Sequence, residues 1–150
     1  LLKYLRASHQ YYLESLIPRI ARSIEQVLQL CEKSQRAILQ RFYSGYVDDV
    51  KAHLRYEENQ MFPYVESIIE SGIVDQVKMG DFVDNHTDIC DKIDDIKSIV
   101  IKYLPESCST QQRCDLLFDI FALREELAKH TMLEMTILAP VVINSEFGRL

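Results

Sequence analysis

Two of the chain's four histidines begin the same pattern, His-x-x-x-Glu: His53 with Glu57, and His130 with Glu134. On a helix, a four-residue step puts both side chains on one face, one turn apart. Imidazole nitrogen and carboxylate oxygen together suit iron, zinc or manganese. With His9 and His86 the set becomes four imidazoles and two carboxylates. That is too many donors for one tetrahedral zinc, and the right number for two metal ions bridged by both carboxylates.

The spacing supports this grouping. His53 follows His9 by 44 residues, and His130 follows His86 by 44. In an antiparallel helix pair, residues equidistant from the turn lie level. The midpoints fall at Cys31 and Cys108, where the sequence places its two tight turns. Each hairpin therefore sets its two histidines at one height.

The elements that carry these residues follow from apolar periodicity. The first helix is expected over Leu2–Leu30, with Leu2, Leu5, His9, Tyr12, Leu16, Ile20, Ile24 and Val27 inward. Pro18 removes its bond to the Glu14 carbonyl and predicts a kink. The second helix is expected from a Ser34 cap to Ile69, with Phe42, Tyr46, Val50, His53, Glu57, Met61, Tyr64 and Ile68 inward and a bend at Pro63. A connection over Ser71–Gly80 leads to the third helix, Asp81–Leu104, with Phe82, His86, Ile89, Ile93, Ile96 and Val100 inward. Pro105 stops it, and Ser109 or Thr110 caps the fourth helix. That helix turns Leu116, Ile120, Leu123, Leu127, His130, Glu134, Ile137 and Val141 inward. The fold class expected is all-α, an up-down-up-down four-helix bundle.

All four histidines lie on these stripes. A lone histidine on an apolar stripe is ordinarily a core residue; four of four, with a repeated carboxylate, point to ligation. A buried carboxylate without a partner costs several kcal/mol, more than one apolar side chain returns. No Lys or Arg shares the stripes with Glu57 and Glu134, so a bound cation is the simplest compensation. Asp49, one turn before His53, is a candidate to orient that ring. Cys90, one turn after His86, reads either as a redox thiol or as an inert core residue.

Composition sets the outer bounds. At 150 residues the chain suits one domain, residues 1–150, and its net charge of −6 offers no footprint for nucleic acid. It contains no apolar run long enough to span a bilayer, so no membrane partner is expected. Four cysteines without a CxxC pair read as reduced thiols, which suggests a cytoplasmic protein. The first residue is Leu rather than Met, and the chain reads as a segment of a longer protein with flanking domains.

Several segments carry a resemblance: Ser8-His9-Gln10-Tyr11-Tyr12, His53 through Tyr64 with its acidic pair and Phe62-Pro63, Asn85-His86-Thr87-Asp88, and Lys129 through Glu134. Together they resemble the hemerythrin HHE cation-binding family over nearly the whole chain. The resemblance implies two non-haem iron ions, one held by His9 and His53, the other by His86 and His130, with Glu57 and Glu134 bridging. Zinc or manganese are possible substitutes. No catalytic residue is singled out.

Two positions depart from the oxygen-carrying hemerythrins. Those proteins place a second histidine on the third helix, where this chain has Cys90, and a bridging aspartate five residues after the fourth helix's histidine, where this chain has Glu134 at four. A site of four histidines and two glutamates looks more like bacterial proteins that repair iron centres. Related domains also resemble sensing modules fused to DNA-binding regulators, and the resemblance implies a domain that senses or responds to oxygen, nitric oxide, or oxidative and nitrosative stress as the input domain of a regulator, with the diatomic gas or peroxide as its small-molecule partner. Alternatives are repair of iron–sulfur clusters, oxygen storage, and a metal-free helical interaction domain.

Overall fold

The computed structural model describes the backbone of residues 1–71, 76–141 and 144, and the side chains of 1–71, 89, 91–141 and 144. All the long elements are helical: α1 Leu2–Tyr11, α2 Ile17–Leu30, α3 Lys33–Tyr56, α4 Phe62–Ser71, α5 Gln76–Tyr103 and α6 Thr110–Leu133. Short π-helical turns at Tyr12–Leu16 and Glu57–Met61 join α1 to α2 and α3 to α4, and a third, Glu134–Leu138, continues α6. The chain therefore forms four long helices and no strand among the described residues, the all-α bundle expected. α2 packs on α3 and α6, and α5 packs on the same two, which closes a ring of four.

Helix ends follow local chemistry. Ser109 caps α6 reciprocally: Gln112 N–H donates to its hydroxyl at 3.2 Å, and its own N–H donates to Gln112 Oε1 at 3.0 Å. The second helix starts earlier than expected, because Glu32 rather than Ser34 is its cap, with Glu32 N–H bonded to Gln35 Oε1 at 3.2 Å. α5 likewise begins at Gln76, so its backbone absorbs Gly80, which was expected in the connection. The two tight turns meet at one end, where Ser107 Oγ donates to the Leu30 carbonyl at 3.4 Å. Both midpoint cysteines, Cys31 and Cys108, are buried there. Arg124 joins α6 to α5 through Asp94 at 2.9 Å, and this bond and the one from Lys97 hold the Asp94 carboxyl at about 2. So exposed a pair adds little stability.

The core is split in two. The larger cluster runs from the tight turns to Tyr12, Leu54, Ile89 and Leu127. The smaller one, on the far side, gathers Leu5, Met61, Phe62, Tyr64, Val65, Ile68, Leu138 and Ala139. His9 falls between the two along the first helix, Glu57 along the second, and His130 with Glu134 along the fourth. A polar layer is therefore enclosed between two apolar ones.

The π turns share one register. Each ends two residues before a proline: Leu16 before Pro18, Met61 before Pro63, Leu138 before Pro140. In each the residue just before the proline donates five residues back, Ile17 to Tyr12, Phe62 to Glu57 and Ala139 to Glu134. A proline ring collides with the carbonyl four residues earlier and has no N–H to give it. One extra residue in the preceding turn moves that carbonyl away, and the proline then sits in the first turn of a resumed α-helix, where its N–H is not needed. The insertion also explains paired burial of neighbours, Leu16 with Ile17, Met61 with Phe62, and Leu138 with Ala139.

This frame shift corrects two expectations: Ile137 and Val141, placed inward by a straight α period, are each 45% exposed, and Leu138 and Ala139 are buried instead. Phe42 is a separate correction. It is 48% exposed, beyond the reach of the second helix's inner stripe.

Deleting Gln60 should turn the Phe62–Glu57 bond from a five-residue into a four-residue spacing and bring Pro63 into collision with the Glu58 carbonyl. The deletion combined with Pro63→Ala should then be more stable than the deletion alone by about 3 kcal/mol, read from chemical denaturation of the metal-free protein. Equal midpoints for the two variants would mean that the proline does not cause the π turn.

Candidate metal centre

Glu57 is the centre of the polar layer. It begins a π turn, is fully buried, and meets three imidazoles from three helical segments. Its Oε1 lies 2.7 Å from His53 Nε2 on α3. Its Oε2 lies 3.0 Å from His9 Nε2 on α1 and 3.5 Å from His130 Nε2 on α6. Glu134, also fully buried and also first in its π turn, places Oε1 3.1 Å from His130 Nε2. The two facing nitrogens, His9 Nε2 and His130 Nε2, are themselves 3.1 Å apart. One ligand atom from each of His9, Glu57, His130 and Glu134 fits within 4.8 Å of the others.

These separations match a coordination sphere. Metal–nitrogen bonds of about 2.1 Å set neighbouring donors about 3.0 Å apart at right angles and about 3.4 Å apart at tetrahedral angles. Two imidazole nitrogens aimed at one point offer lone pairs that repel unless a proton or a metal ion lies between them. The donor set is therefore chemically suited to a cation, with one Glu57 oxygen toward His53 and the other toward His9 and His130.

Electrostatics give the same direction. Burial would lower the pKa of His130, but its hydrogen bonds to the Glu134 and Glu57 carboxylates outweigh burial and raise it from 6.5 to about 9. In the metal-free protein a proton thus stands where a cation fits. Aromatic rings pack on two of the imidazoles: Phe62 stacks on His9 with ring centroids 5.3 Å apart, and Tyr12 meets the His130 ring edge-on at 5.8 Å. Tyr12 is tied down by its hydroxyl, which donates to the Glu126 carbonyl at 3.0 Å. Tyr12 stands in the π register where the other two helices carry Glu57 and Glu134.

Of the six expected ligands, five are brought together: His9, His53, Glu57, His130 and Glu134. His86 lies on α5, and its side chain is outside the described residues, as is that of Cys90. His9 and His53 share Glu57 through its two different oxygens, whereas His9 and His130 share one oxygen directly. Asp49, a candidate to orient His53, is half exposed and meets Lys92 Nζ at 3.0 Å. Sequence reasoning gave no role to Glu58, which contacts His9 Nδ1 at 2.8 Å. Its adjacency to Glu57 was the available signal. It also overlooked Pro140, whose spacing from Glu134 repeats that of Pro63 from Glu57.

The model of the hemerythrin HHE cation binding domain matches residues 1–142. The chain belongs to the hemerythrin HHE family. No curated protein and no solved structure gives a significant match. Membership agrees with the buried histidine–glutamate cluster, and together they establish a cation-binding domain of the HHE type. Among the described residues, no helix is long and apolar enough to cross a membrane.

The raised pKa of His130 has a measurable consequence. Its charged form stabilises the metal-free fold fully below about 6.5, and that stabilisation is lost as pH rises through about 9. Metal binding must expel the same proton. Zinc affinity should therefore climb between pH 7 and 9, by up to about tenfold per unit, while the melting temperature of the metal-free protein falls. Titrations at a series of pH values check this; an affinity flat across that window would contradict it.

Proposed function

We propose that this HHE domain holds two iron ions, with His9, His53, Glu57, His86, His130 and Glu134 as ligands and the two glutamates as bridges, and that it responds through them to oxygen, nitric oxide or peroxide. The observation that carries this reading is the full burial of Glu57 with both oxygens engaged by imidazoles from three helical segments. Such a carboxylate is costly to bury as a structural group and suited to binding two cations. A non-haem iron pair supplies redox chemistry and open positions for a diatomic gas or peroxide.

The protein's own residues supply the rest. Four imidazoles and two carboxylates leave each ion of the pair fewer protein bonds than a full octahedral set, so a small molecule can be accommodated. Phe62, Tyr12 and the two apolar clusters exclude bulk water from the layer. The net charge of −6 argues against direct contact of this domain with nucleic acid. A cytoplasmic setting fits the scattered thiols.

A second reading, iron handling for damaged iron–sulfur clusters, is favoured by the ligand pattern: Cys90 replaces the extra histidine of oxygen carriers, and Glu134 replaces their aspartate. The two readings differ in whether iron stays. A sensor keeps its metal through repeated exposure to the gas, and a repair protein gives iron up to an apo-cluster acceptor.

Anaerobic loading with ferrous iron should give about two ions per chain. Glu134→Ala should lower that content, whereas Glu126→Ala, at a residue paired with Lys129 at 3.0 Å on the outside of the bundle, should not. Exposure of the loaded protein to nitric oxide, oxygen or peroxide should change its visible absorption. Stoichiometry fixed at zero or one, or equal metal in the two variants, would contradict the site; unchanged spectra with all three reagents would contradict the response.

A further inference from the structure

His9 is held at both of its nitrogens by consecutive carboxylates. Glu57 Oε2 faces Nε2 at 3.0 Å, and Glu58 Oε1 faces Nδ1 at 2.8 Å. Glu58 is held in turn: Arg6, three residues before His9 on α1, donates from Nε to Glu58 Oε2 at 3.2 Å. The same guanidinium is fixed by Glu66, through Nη1 at 2.7 Å and Nη2 at 3.4 Å. It lies 5.4 Å from the centroid of Phe62, the ring that stacks on His9. A chain Glu66–Arg6–Glu58–His9 therefore runs from the edge of the bundle to the metal layer. Glu58 is one-third exposed, in contrast to buried Glu57. It lines a surface cavity of about 260 Å³ with Arg6, His9, Gln10, Glu14 and Arg55.

We propose that Glu58, anchored by Arg6, is the positioning residue for His9: it accepts a hydrogen bond from Nδ1–H, and so leaves the Nε2 lone pair aimed at the metal. An imidazole can ligate through either nitrogen, and the partner on one decides which is free. Glu57 alone cannot decide, because it stands on the ligating side. Glu58 stands on the other side and gives His9 one tautomer and one ring orientation. A carboxylate in that place also makes the imidazole a stronger donor. This inference rests on the reading of His9 as a ligand.

The test uses zinc as the probe and compares the parent with Glu58→Ala, Glu58→Gln, Arg6→Gln and Glu14→Gln. Glu58→Ala should weaken zinc binding about 10–100-fold and abolish the slowly exchanging Nδ1–H resonance of His9 in the zinc-loaded protein. Glu58→Gln keeps an oxygen acceptor and should restore most of both. Arg6→Gln leaves Glu58 in place without its anchor, and should weaken zinc less than Glu58→Ala and broaden the same resonance; it keeps the test open if Glu58→Ala folds poorly. Glu14→Gln removes a charge from the same cavity and should change neither. Parent-like affinity and resonance in Glu58→Ala would overturn the inference alone, as would equal losses in Glu58→Ala and Glu14→Gln. A parent that binds no zinc and no iron would overturn both this inference and the ligand reading beneath it.

Discussion

The rest of this structure depends on two fully buried carboxylates, Glu57 and Glu134, set in a layer with apolar side chains on both sides. Water is the usual partner of a carboxylate, and here it is excluded. Imidazoles replace it: His9, His53 and His130 approach Glu57, and His130 also approaches Glu134. Protons can satisfy such a cluster, as the raised pKa of His130 shows, but a divalent ion neutralises more charge and matches the donor spacing. The bundle frames this arrangement. Three of the four long helices bring a histidine or glutamate to a common layer, and the two apolar clusters bound that layer from both ends.

The helices do not run straight past the site. On three of them a π turn begins at the layer and ends two residues before a proline. The proline makes an ordinary turn unfavourable, the extra residue relieves it, and the inward face beyond the site advances by one position. That shift is why Met61 with Phe62 and Leu138 with Ala139 are buried as neighbours.

Much of this was legible in the sequence. Histidines on apolar stripes, two His-x-x-x-Glu repeats and equal spacings about Cys31 and Cys108 pointed to the bundle, its two tight turns and the clustering of His9, His53, Glu57, His130 and Glu134, because an α-helix converts spacing directly into a shared face. The failures also have physical causes. Ile137 and Val141 were misplaced because a constant period of 3.6 cannot register an inserted residue, although Pro140 marked it. The Glu32 cap was passed over for Ser34 because a serine is the commoner cap, and the Glu32–Gln35 pairing is a longer-range reading. Glu58 carried no periodic signal at all: its role comes from contact with another helix, which spacing along one helix does not encode.

Family membership and the buried cluster establish a cation-binding HHE domain; the two-iron, bridged centre is the claim that most needs a direct measurement. X-ray absorption at the iron edge of the anaerobically loaded protein provides it. The loaded protein should show a first shell of nitrogen and oxygen only, outer-shell scattering characteristic of imidazole, and an iron–iron vector shorter than about 4 Å, lost in Glu57→Gln. An isolated iron with no metal neighbour, or a first shell containing sulfur, would contradict it.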